Sequence, residues 1–196
     1  VPGLPAEEGA MTEKVLHAEL SAAFRHLGCW MAKWPDSLVS HMQAAGDGKM
    51  RFALPKPCDL VGAAPGGRFL AVEAKLARSA IFHVDARLVR QLETLRALQA
   101  RGAFAAVALN FRFTRKRPAL RMNRTLLFLG LSGEAWREGA RFVLDLAAPG
   151  MPTPRPPAPM PLCVELTRIA GGWDVPAFLL EKPMSERMTV ELHAGV

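Results

Sequence analysis

Apolar positions along this 196-residue chain recur with two periods, and each predicts its own kind of element. Thr12 is a fair N-cap, and Leu16, Leu20, Ala23, Phe24 and Leu27 follow at helical spacing up to Gly28. The spacing predicts a helix of about fifteen residues; at roughly 100° per residue Glu13 falls inside its apolar stripe and Glu19 at the edge. Trp30, Met31 and Trp34 suggest a strand, and residues 37–50 read as a loop or a short helix. Two apolar runs, residues 58–61 and 68–75, flank a glycine-rich turn over 62–67, which is a hairpin signal. A second helix is expected from about Asp85 to Arg101, stopped by Gly102, with Gln91 on the same face as Leu88, Leu92, Leu95 and Leu98. Residues 103–111 are continuously apolar, typical of a strand buried on both sides. Another strand is expected over 125–131 and a helix from Glu134 to about Leu144.

Residues 149–161 hold seven prolines in thirteen positions, which predicts an extended linker. Residues 162–169 and 173–180, around the Gly171-Gly172 turn, form a plausible hairpin. The order of elements makes an α/β chain, a mixed sheet flanked by helices. Its expected organisation is a flexible arm over 1–10, or an extension ahead of a start at Met11, then a main domain over 11–148, the Pro-rich linker over 149–161 and a C-terminal hairpin appendage over 162–196.

Composition narrows the picture. Half of the residues are hydrophobic, enough for a packed core, and the net charge of +7 suggests an anionic partner. No run is long enough to span a membrane, and no charged-then-apolar leader is present. The three cysteines lie far apart without zinc spacing, and their odd number argues against a secreted disulfide framework, so a cytoplasmic protein is expected, or one in a host-cell cytoplasm if phage-encoded. Abundant Arg and Pro with little Asn and Gln fit a heat-adapted source and a GC-rich genome equally.

Candidate chemistry centres on the hairpin. In a strand alternate side chains share a face. Glu73 and Lys75 therefore point the same way as Phe69 and Ala71, while Leu70, Val72 and Ala74 point the other. If the hairpin pairs as expected, Asp59 comes to the Glu73 side. The bland reading is an ion pair on a surface hairpin. Against it, two carboxylates and an ammonium converging at the end of a buried hairpin are costly to place without a task. Oxygen ligands of this kind suit Mg²⁺, with Mn²⁺ as a substitute.

A helix with an inward Glu, then Asp59, then Glu73-Ala74-Lys75 on a hairpin, then a helix, resembles the PD-(D/E)XK nuclease superfamily. Within it the chain is most similar to the Holliday-junction resolvases of the bacterial RecU type and the archaeal type, over residues 11–131. Gly67 to Lys75, GRFLAVEAK, is similar to the family's second catalytic strand. Phe82 leads to Gln91-Leu92-Glu93 in a helix that ends at a Gly before an apolar strand, GAFAAVALNF. Cys58 departs from the pattern: the proline stands one place earlier, at Pro57. The resemblance does not extend to the C-terminal Pro-rich linker and hairpin.

The resemblance implies a restriction-endonuclease-like fold and metal-dependent hydrolysis of DNA, with four-way junctions as substrate. Asp59 and Glu73 would be metal ligands with the Ala74 carbonyl a third, and Lys75 would orient water or stabilise the phosphorane. Glu13 would be a metal-linked carboxylate on the first helix, with Glu19 the alternative, and Gln91 a further site residue. His17 and His83 read as surface histidines. No Asp or Glu lies between Glu93 and Glu134, and this window carries Arg112, Arg115, Lys116, Arg117, Arg121 and Arg124 as candidate phosphate contacts. Its bland alternative is a solvated loop between strands. Symmetric cutting of a junction needs two active sites, so a homodimer is expected, with Trp30, Trp34 and the hairpin around Trp173 as candidate interface. Another restriction-like or structure-selective DNA nuclease is the alternative within the same chemistry, and a nuclease fold that has lost its activity and only binds DNA is the reading from another class.

Overall fold

The structure is a computed structural model that describes residues 12–35, 56–115, 120–147, 150–170 and 172–181. The expected loop over 37–50 lies outside these. Helix α1 spans Glu13–His26, with Thr12 at its N-cap. Strands β1 (Trp30–Lys33), β2 (Leu60–Ala63), β3 (Phe69–Ala77) and β4 (Ile81–His83) lead to helix α2 (Ala86–Gln99). Then come β5 (Phe104–Arg115), β6 (Leu120–Phe128), β7 (Arg141–Val143), β8 (Thr153–Arg155), β9 (Cys163–Ile169) and β10 (Gly172–Asp174). Helix α3 (Phe178–Glu181) is the last element described.

One seven-stranded sheet runs in the order β1-β2-β3-β5-β6-β9-β10, and a smaller sheet joins β4, β7 and β8. All neighbours pair antiparallel except β3 and β5, which α2 separates in the chain. Parallel neighbours need such a crossover. This is the mixed α/β architecture expected, and each face of the sheet carries its own core. Leu16, Leu20 and Phe24 of α1 pack with Leu70, Val72, Ala74, Phe104 and Ala106. On the other face Leu88, Leu92 and Leu95 of α2 pack with Ala71, Ala105, Val107 and Leu109. The alternation along β3 therefore divides its side chains as the sequence pattern requires.

Local chemistry sets the boundaries. Asp85 caps α2, its Oδ1 accepting from the Leu88 N–H at 2.7 Å. The β2–β3 turn runs through Gly66 and Gly67, both at φ near +85°, a conformation costly for any residue with a Cβ. Gly62 serves close approach instead: a Cβ there would sit 2.1 Å from the Trp30 carbonyl oxygen, so only glycine lets β1 pair so tightly with β2.

The expected helix over 134–144 does not form. One 3-10 turn, Glu134–Trp136, gives way to strand β7. Gly133 and Gly139 take positive φ, and Ala140, Phe142 and Leu144 are buried in alternation, a period-2 pattern that suits a strand. The second strand of the β5–β6 pair spans Leu120–Phe128 rather than 125–131. Within the Pro-rich segment Thr153–Arg155 pairs with β7 as β8. The C-terminal hairpin forms with its second strand cut to Gly172–Asp174, since Phe178–Glu181 is helical rather than the end of a strand over 173–180. Its strand β9 pairs with β6, extending the main sheet.

Candidate active site

Asp59 immediately precedes β2, and its position follows from the hairpin register. Leu60 pairs with Val72, so Asp59 stands at the end of β2 beside residues 73 and 74. Its Oδ2 accepts from the Ala74 N–H at 3.0 Å and its Oδ1 from Lys56 Nζ at 2.6 Å. Burial alone would raise the Asp59 pKa, but the His17 ring facing it, with hydrogen bonds from Lys56 and the Ala74 amide, outweighs this and holds the carboxyl well below the usual range.

Glu73 is 0 % exposed. Its Oε1 accepts from Lys75 Nζ, and Lys75 also donates to Gln91 Oε1 at 3.2 Å. Burial pushes the Glu73 pKa up to about 7; the Lys75 charge opposes this, and the neighbouring Asp59 charge adds to it. Glu73 Oε2 and Gln91 Nε2 are buried without a hydrogen-bond partner among the described residues. Such orphans are expensive in a folded protein unless a proton, water or ion completes them.

The structure thus brings Asp59, Glu73, Lys75 and Gln91 together, with Gln91 reaching from α2 across the sheet face. Cys58 is fully buried in the α2-side core, and its Sγ donates to the Leu60 carbonyl at 3.2 Å. Burial, with the Glu73 and Asp59 charges, pushes the thiol up to about 12, so it acts as a small apolar residue.

Glu13 differs from expectation. It is exposed rather than turned into the core, because the buried face of α1 begins only at Leu16, one turn further on. It lines a cavity of about 630 Å³ over Asp59 together with Thr12, Lys14 and His17 of the same helix end. Lys33 at the end of β1, Lys56 and Arg87 of α2 form the remaining walls. Glu19 sits elsewhere, accepting from Arg112, from Arg168 at 2.9 Å and from Trp173 Nε1 at 3.2 Å.

His17 is the residue that sequence reasoning missed. It is buried rather than at the surface, and its Nε2 lies 3.6 Å from Asp59 Oδ2, too long for a good hydrogen bond. Its signal was its place four residues after Glu13 on one helical face. Arg87 carried the same signal, four residues before Gln91. His83 is exposed, as expected.

Among the described residues, the basic window is not gathered at this site. Arg112 is buried and paired with Glu19, with its Nε donating to Asn123 at 3.0 Å. Arg124 holds both oxygens of Glu165, at 2.6 and 2.7 Å. Arg121 is exposed on β6, Arg115 ends β5, and Lys116 and Arg117 lie outside the described residues. Trp173, a candidate interface residue, is 1 % exposed and belongs to the core, with Arg168 stacked over its ring at 4.9 Å. Trp30, by contrast, is 64 % exposed.

Among the described residues no three His, Cys, Asp or Glu side chains are grouped to hold a metal. The donor set nevertheless fits Mg²⁺, which takes one or two carboxylates and keeps several waters or substrate oxygens. The unpartnered Glu73 Oε2 beside a second, ionised carboxyl is the feature that a cation would complete. No described helix is long and apolar enough to cross a membrane.

No protein-family model matches the chain, and no curated protein matches it. Among solved structures the chain is similar to Hjc, a Holliday junction resolvase from Archaeoglobus fulgidus. The identity is 26 %, over 50 % of this chain and 68 % of the other, with a TM-score of 0.33.

Proposed function

We propose that the chain is a metal-dependent DNA endonuclease, and that its substrate is the four-way junction, cut by a homodimer. The observation that carries the nuclease reading is the buried Asp59–Glu73 pair, with one carboxylate oxygen unpartnered and Lys75 and Gln91 beside it. A bound Mg²⁺, or Mn²⁺ in its place, would neutralise charge developing on the phosphate and lower the pKa of an attacking water.

The chain's own residues divide the remaining work. Asp59 and Glu73 would hold the ion with the Ala74 carbonyl, and Glu13 at the cavity mouth is within the same assembly. Asp59 is kept ionised by its Lys56 and Ala74 hydrogen bonds, so one ligand is ready at any pH near neutral. Lys75 is held between Glu73 and Gln91, where its ammonium can donate to the attacking water or to a phosphate oxygen. Gln91 fixes that ammonium, and its unpartnered Nε2 is a second donor facing the same space.

The junction and the dimer rest on the sequence resemblance and on one surface feature. Trp30 on the edge strand β1 and Phe69 on β3 are both exposed, each opposite Ala63 of the intervening β2, and exposed aromatic side chains of this kind are enriched in interfaces. Cleavage of a four-way junction, a linear duplex and a single strand, with and without Mg²⁺, tests the whole reading. The expected result is metal-dependent paired cuts in the junction by a protein that light scattering sizes as a dimer. A monomer that cuts junction and duplex equally would leave only a general nuclease, and no cleavage under any metal would leave a DNA-binding module.

A further inference from the structure

The cavity over Asp59 carries more positive charge than metal binding needs. Lys56 is held by Asp59, and Lys14 and Arg87 line the same wall beside a single further carboxylate, Glu13. The cavity also opens on the N-terminus of α1, whose cap residue Thr12 makes no side-chain hydrogen bond to the helix. Helix N-termini favour anions. An independent observation points to a ligand here. His17 is only 7 % exposed, forms part of the cavity wall, and has neither ring nitrogen hydrogen-bonded among the described residues. Its Nε2 faces Asp59 Oδ2 at 3.6 Å, so the tautomer protonated on Nδ1 holds an N–H donor with no hydrogen-bond partner among the described residues.

We propose that this cavity is a phosphodiester-binding pocket that takes the phosphate next to the one being cut on the same strand, with His17, Lys14 and Arg87 as its donors. The proposal rests on the nuclease reading and deepens it. It moves the strand-gripping surface from the Arg112–Arg124 window to the two helix ends beside Asp59. The volume of about 630 Å³ admits a phosphate together with the sugar that carries it, where a bare ion would leave the space unfilled. Arg87 and Gln91 lie one turn apart on α2, and Glu13 and His17 one turn apart on α1. A strand seated in the pocket would thus run directly over Asp59 to Lys75.

The test uses the full chain in EDTA, with histidine labelled for NMR and the dinucleotide TpT, which has a single phosphodiester, as the probe. His17 ring signals, assigned by loss in His17→Asn, should shift saturably. Lys14→Ala and Arg87→Ala, both exposed positions, should each weaken TpT binding roughly fivefold, whereas Arg137→Ala, on the exposed 3-10 turn, should bind as the wild type does. A His17 signal that does not move, or equal binding by all four proteins, overturns the pocket. The measurement involves neither metal nor cleavage. A silent His17 alongside cutting that depends on Asp59 would remove the pocket and leave the nuclease. A responsive His17 in a protein that cuts nothing would keep the anion pocket and remove the nuclease.

Discussion

Glu19 and Glu73 are both withdrawn from water, on opposite faces of one sheet, and their surroundings treat them in opposite ways. Glu19 meets two guanidinium groups and an indole N–H, so both of its oxygens are satisfied. Glu73 meets one ammonium, leaves one oxygen unpartnered and faces a second carboxyl. The first arrangement joins α1 to β5, β9 and β10 and is complete as it stands. The second is unfinished in the folded chain alone, and a buried carboxylate left unfinished beside another is where a cation fits. Withdrawal from water therefore says little by itself; the donors around each acid separate a fastening from a site.

The comparison breaks most visibly in activity. Asp59→Asn or Glu73→Gln should lower metal-dependent cleavage roughly 10³-fold, the equivalent of about 4 kcal/mol, while DNA binding measured by anisotropy survives. Glu19→Gln should leave the rate per folded molecule near wild type. Cutting by Asp59→Asn at the wild-type rate would remove the site assignment.

Stability should reverse that order. Glu19→Gln leaves Arg112 buried against a neutral partner and should cost about 3 kcal/mol in urea unfolding. Glu73→Gln should cost little at neutral pH and stabilise the metal-free protein above it, since the replacement carries no buried charge.

A smaller effect follows from pH. Burial raises Glu73 from its ordinary 4.5 to about 7, so the folded chain holds a proton that the unfolded chain releases. Its contribution is complete below about pH 4.5 and is lost as pH rises through about 7, amounting to roughly 3 kcal/mol at about 1.4 kcal/mol per tenfold in proton affinity. Asp59 works the other way: its lowered pKa adds stability above its ordinary 3.8 that is lost on acidification. Metal-free protein should therefore be most stable at about pH 4 to 5, above the ordinary Asp59 value and below the onset of the Glu73 decline. Glu73→Gln should abolish the decline on the alkaline side, and an unchanged decline would show that another group causes it.

The smallest expected effect tests the basic window. Neutralising Arg115, Lys116 and Arg117 together should leave the slope of log K against log salt close to wild type, and a slope reduced by about 0.9 per lost phosphate contact would return the phosphate-binding surface to this window. An unchanged slope would place the phosphate-binding surface elsewhere, consistent with the pocket over Asp59.

The hairpin, both long helices and the face on which Glu73 and Lys75 lie were legible because each follows from a local period. Asp59, Glu73, Lys75 and Gln91 could be read together because strand alternation and helix azimuth fix direction without knowledge of partners. Pairing was not legible. Arg112 and Arg124 look like free cations in sequence, and Glu19 and Glu165, far off in the chain, neutralise them. His17 was overlooked because a lone histidine on a helix is usually at the surface, and its neighbour Asp59 lies 42 positions away. The helix expected over 134–144 failed because two glycines at positive φ outweigh the helix formers between them.

Calorimetric titration of Mg²⁺ into the full-length protein at pH 8, beside Glu73→Gln and Glu19→Gln, tests the central claim most directly. The wild type and Glu19→Gln should bind the ion with release of less than one proton, and binding should raise Tm in both; Glu73→Gln should do neither. Equal Mg²⁺ binding by all three proteins, or none by the wild type, would contradict the reading of the Asp59–Glu73 pair as a cation site.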